Sequence, residues 1–155
     1  MSFQIIPLKK ETFAPLFELD DAALKARGAL RMVADEKPGF PCRTSLEDAE
    51  VGETVILLNY EHLSLDTPYC AKAAIFVRRD GAQASLAVNE IPQSFLDRIV
   101  AARAFDKQGM MVDADIAQGA ELADLIERLL KIPTVDYLHL HWAKFGCYAA
   151  KVVEA

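Results

Sequence analysis

The segment HLHWAKFGCYAA, residues 139–150, gathers two histidines, a tryptophan and a cysteine. Imidazole and thiol groups ligate zinc, and imidazole exchanges protons near neutral pH. His139, His141 and Cys147 therefore raise the first chemical question. Side chains two apart share a face of a strand. Tyr137, His139 and His141 fall on one face, and Leu138, Leu140 and Trp142 form the obvious core face. A turn over 143–146 pairs Trp142 with Cys147 and His141 with Tyr148, which places Cys147 on the core face, away from both histidines. An H-x-H pair binds zinc only with a third and usually a fourth donor. His62, Cys42, Cys70, Asp113 and Asp115 are the candidates, and none stands at metal-ligand spacing. The favoured expectation is no metal and no cofactor, with the histidines on a partly covered second face and hydrogen-bonded locally.

Three further groups are candidates. The loop PGFPCRTS, residues 38–45, is stiffened by Pro38 and Pro41, so it presents side chains at low entropic cost. Cys42 beside Arg43 has its thiolate favoured if the guanidinium lies near the sulfur. Otherwise Cys42 is a small buried residue and Arg43 pairs with a structural carboxylate. Arg103 lies mid-strand among alanines in VAARAF, either as a buried carboxylate partner or as an anion-binding group. Arg43, Arg103 and Tyr137 are the ligand-binding candidates. Cys42, His139 and His141 are the catalytic ones. Asp113 and Asp115 precede a helix, where acids complement its dipole, and Arg78-Arg79 sit at a turn, where solvation is simplest.

Other chemistries leave no trace in the chain. It contains neither a glycine-rich phosphate loop nor a G-x-S-x-G elbow. A net charge of -6 without a lysine-arginine block argues against nucleic acid, whose phosphates demand a basic face. No apolar run reaches the ~20 residues that span a bilayer. Three widely spaced cysteines without a C-x-x-C pair suggest reduced thiols and a cytoplasmic location.

The elements that must position these groups follow from periodicity. Strands are expected at 3–8, 29–36, 54–60, 73–79, 83–88, 98–105, 110–116, 136–142 and 147–153. The 83–88 strand is expected to pair with 73–79 across Asp80-Gly81. A helical pair is expected at 11–27, and a helix at 119–131 carries Leu122, Leu125, Ile126, Leu129 and Leu130 on one stripe. With 155 residues, the chain fits one domain, 1–155. Its expected class is α+β, a largely antiparallel sheet of short strands with two or three helices packed on it.

Several segments, in order, carry a family resemblance: PGFPCRTSL (38–46), GETVILLNYEH (52–62), PYCAKAAIFV (68–77), VAARAFD (100–106) with MMVDADI after it, and YLHLHWAKFGCYAAKV (137–152). Together they resemble the bacterial family known as domain of unknown function 1203. The resemblance implies a small bacterial single-domain protein and no particular activity. Two functions compete. One is a small-ligand or protein-interaction module, its ligand a small anion. The other is an enzyme with an anion-binding cleft formed by the Cys42-Arg43 loop and the His139/His141 face.

Overall fold

The computed structural model describes every residue from Met1 to Ala155. The fold is α+β, with one sheet of five strands and one of three. The strands are β1 (Phe3–Ile6), β2 (Leu30–Val33), β3 (Thr54–Leu63), β4 (Ala71–Arg78), β5 (Ile99–Phe105), β6 (Met111–Gln118), β7 (Tyr137–Trp142) and β8 (Tyr148–Glu154). The short helices are α1 (Lys10–Phe13), α2 (Asp21–Ala26), α3 (Gln93–Leu96) and α4 (Leu122–Leu130). Two compact units divide the chain: Met1–Ile6, Glu61–Ala73 and Leu86–Ala155 make the first, and Pro7–Tyr60 with Ala74–Ser85 the second.

The first unit contains the five-stranded sheet, ordered β1-β8-β7-β5-β6 with every neighbour antiparallel. Turn chemistry sets the β5–β6 register. The Asp106 carboxylate accepts from the backbone of Gln108 at 2.9 Å and Met110 at 3.0 Å, and Gly109 takes the left-handed φ of 79°. α4 lays its stripe against this sheet: Leu122, Leu125, Ile126, Leu129 and Leu130 are all buried. Leu125→Ala is expected to remove about 2 to 4 kcal/mol of unfolding free energy, the range for deleting a buried leucine side chain. A loss below about 0.5 kcal/mol in urea unfolding contradicts this packing.

The β7–β8 hairpin holds the expected register at its turn. Trp142 N–H donates to the Cys147 carbonyl at 2.9 Å, and His141 lies opposite Tyr148. A bulge then intervenes: Leu140 faces Ala150, and His139 faces Lys151. A bulge adds one residue and shifts which side chains reach a face. Here it brings both Tyr148 and Lys151 onto the histidine face. Cys147 differs from expectation. It precedes the first ladder residue of β8, and it is only half-buried, with its Sγ 3.9 Å from the Phe145 carbonyl.

The second unit packs Phe13, Leu24, Ala29, Ile56, Ile75 and Val77 into a core. Asp20 caps α2 by accepting from Ala23 N–H at 2.8 Å, and Gly28 ends the turn after α2 at φ 70°. Two expectations are corrected. Residues 83–88 form no strand; the Gln83 amide donates to the Leu8 and Thr44 carbonyls, and Ala84 N–H also donates to Thr44. β4 instead pairs with β3. Arg78 is not simply solvated: it bonds Glu53 at 2.9 Å and the Ser45 hydroxyl at 3.2 Å.

Candidate metal centre

The site lies within the first unit, on the sheet face opposite α4. β7 alternation presents Tyr137, His139 and His141 there. In the adjoining strand β5, Phe105 lies opposite Tyr137, Arg103 opposite His139 and Ala101 opposite His141. Directly opposed residues share a face, so Arg103 stands beside His139. From β8 come Tyr148 and Lys151. His62, at the end of β3, completes the cluster. Its ring centroid lies 5.5 Å from His139 and 5.1 Å from His141, and it stacks on Tyr148 at 5.0 Å with an interplanar angle of 5°.

One ring nitrogen from each of His62, His139 and His141 can be chosen so that all three lie within 4.8 Å of one another. His139 is 3% exposed and His141 1%. The second face is therefore covered far more fully than the alternation alone suggests. His141 Nδ1 lies 2.9 Å from the Gly146 carbonyl, which can only accept. Nδ1 therefore carries the proton, and the buried Nε2 carries the lone pair. Local bonding of His141 was expected. His139 behaves otherwise: its Nδ1 and that of His62 are buried with no hydrogen-bond partner. Leaving such a group unsatisfied costs about 1–3 kcal/mol.

Burial favours the neutral form of His139 and of His62. It pushes the His139 pKa down to about 3, helped by His62, His141, Lys151 and Arg103. Burial and the charge of Arg103 also lower that of His62. Neutral imidazole is the form that ligates metals. The shift has a consequence for stability. Between the ordinary histidine value of about 6.5 and about 3, the unfolded chain binds a proton at residue 139 that the folded chain refuses. Folding stability is thus intact above pH 6.5 and falls as pH drops. Metal-free protein is expected to lose about 2 kcal/mol between pH 7 and pH 5 through this group. Urea midpoints across that range check it. His139→Phe should flatten the dependence, and an equally steep dependence in the variant contradicts the assignment.

The other sequence candidates are placed as follows. Tyr137 shares the face but is packed, its ring stacked on Phe105 at 5.4 Å and covered by Lys151 Nζ at 4.6 Å. Asp113 and Asp115 belong to the opposite face and pair with Arg128 of α4. Cys70 is exposed, its thiol 3.4 Å from Glu61. Cys42 and Arg43 belong to the second unit. Cys42 is buried, its sulfur 3.3 Å from Thr44 Oγ1. Burial raises its pKa, but hydrogen bonds from Ser45 and Thr44 outweigh that and the net shift is downward. Arg43 is 2% exposed and donates to the Pro41 carbonyl. Of the five candidates for a third ligand, only His62 joins His139 and His141.

A family model described as protein of unknown function, DUF1203, matches residues 39–153. The chain belongs to this family. The matched span contains all three histidines and Arg103, so the cluster lies inside the family's own region. No curated protein and no solved structure matches the chain. No helix is long and apolar enough to cross a membrane.

Proposed function

We propose that this chain is a small-ligand domain built on a transition-metal ion, zinc in the first instance, held by His62, His139 and His141. The observation that carries the reading is the convergence of three ring nitrogens within 4.8 Å on a buried face. Unpartnered Nδ1 atoms on His62 and His139 support it, because an ion would satisfy nitrogens that the protein leaves unbonded. The His141–Gly146 bond is the outer contact that fixes a ligating imidazole's tautomer and direction. An all-imidazole set suits zinc, copper, nickel or iron and disfavours calcium and magnesium. Zinc with nitrogens at about 2.0–2.1 Å in a tetrahedron needs them about 3.4 Å apart, so the rings would draw together on binding.

Three protein ligands leave a coordination position for water or a small ligand, the pattern of a reactive rather than a purely structural zinc. An ion there would lower the pKa of bound water and polarise a bound oxygen. This reading replaces the expectation of no metal, because His62 was one of five possible third donors and its ring nitrogen lies within 4.8 Å of the other two.

Calorimetric titration of chelator-treated protein with zinc chloride tests the proposal. One equivalent should bind and raise the melting temperature, since a ligand that binds only the folded state stabilises it. The stack on Tyr148 offers His62 a simpler role as a packing residue. If His62→Phe binds zinc as the parent does, packing is that role and the proposal falls.

A further inference from the structure

The polarity of the histidine face points past the ion to what accompanies it. Arg103 on β5 and Lys151 on β8 flank His139 from its two sides, each directly opposite it in register. No strand of the five-stranded sheet answers them with a carboxylate on this face. On β6 the register places Ala114 and Ile116 here and turns Asp113 and Asp115 to the α4 side. Glu154 of β8 faces away as well, two residues from core Val152. In a chain of net charge -6, the strands of this sheet set two cations and no carboxylate beside the histidines.

Lys151 has an occupation, its ammonium set over the Tyr137 ring. Arg103 has none. Its side chain is half-buried, burial lowers its pKa, and its guanidinium makes no hydrogen bond or ion pair within the protein. Its neighbours Ala101, on its own strand, and Ala114, opposite it, offer its head no polar side chain. A partly desolvated guanidinium without an acceptor is costly, and its fork of donors matches two oxygens of a planar or tetrahedral oxyanion.

The two observations combine. Three imidazole donors bring no negative charge, so a dication among them would share the face with two further cations. An anion bound to the ion and gripped by Arg103 would cancel that repulsion. We propose that the ligand of this site is a small oxyanion, a carboxylate or phosphate group, with one oxygen on the metal and Arg103 donating to it. This inference rests on the metal reading, and it can fail while that reading stands.

Cobalt(II) bound at the three histidines reports both in its visible spectrum. Acetate and inorganic phosphate, titrated separately into the cobalt-loaded protein, should change that spectrum saturably, and the stronger of the two names the preferred class. Arg103→Met should keep cobalt affinity within a few-fold while weakening the anion at least about tenfold, the loss of a charge-assisted hydrogen bond. Arg103→Lys keeps charge and stem for folding but lacks the fork, and it should be weakened as well. If cobalt does not enter, the metal reading falls and this inference with it. If cobalt enters and neither anion alters its spectrum, or if both variants respond like the parent, the oxyanion proposal alone is overturned.

Discussion

His139→Ala lowers zinc affinity at least about 100-fold. The loss corresponds to about 2.7 kcal/mol, and outer-sphere contacts alone are worth 10- to 100-fold in metal sites. A primary ligand that also carries an unpartnered nitrogen in the metal-free protein should cost no less. His62→Ala and His141→Ala are expected to match it, because three donors leave no redundancy. Stability should behave in the opposite sense. His139→Phe removes a buried nitrogen that has no partner, so metal-free protein should remain within about 1 kcal/mol of the parent. The variant should, however, gain nothing from added zinc. Calorimetry and thermal melts with and without zinc check both halves. Full zinc stabilisation in His139→Phe would separate the ion from the cluster.

Gly119→Ala unfolds or severely weakens the first unit. Gly119 starts the 3-10 turn Gly119–Glu121 that leads from β6 into α4. A Cβ there would meet the Leu96 carbonyl oxygen at 2.0 Å and its Cα at 2.2 Å. Both are backbone atoms, so no rotamer change relieves the clash, and α3 or the β6–α4 connection must move. Overpacking usually costs about 1–3 kcal/mol and sometimes more. The expected loss is about 3 kcal/mol or greater, a fall in melting temperature on the order of 10 °C for a chain of this size. A loss below about 1 kcal/mol would mean that the α3 contact is soft.

Much of the first unit was legible because its signals are local. The α4 stripe repeats at helical spacing, β5 and β6 flank a turn whose Asp and Gly have defined tasks, and β7 alternates around Leu138 and Leu140. Residues 83–88 show the limit of such reading. ASLAV alternates like a strand, but a strand needs a neighbour, and Gln83 and Ala84 bond to loop carbonyls. Arg78 misled for a similar reason, since Glu53 and Ser45 reach it from elsewhere in the chain.

The site was half legible. His139 and His141 declare themselves by spacing, and Arg103 by its place among alanines. His62 carries a fainter signal: Asn59 and Glu61 point outward on β3, which turns Tyr60 and His62 inward. Nothing local says that the end of β3 meets β7. The bulge that brings Lys151 opposite His139 is equally invisible, because one extra residue in a ladder leaves no mark in composition.

X-ray absorption at the zinc edge of the zinc-loaded protein identifies the atoms that hold the ion. An ion held by the three histidines gives a first shell at about 2.0–2.1 Å made of nitrogen and oxygen, with the outer-shell scattering of three imidazoles. A sulfur shell at about 2.3 Å would place the ion on Cys42, Cys70 or Cys147, and a shell without imidazole scattering would place it on surface carboxylates. Either result contradicts a metal held by His62, His139 and His141.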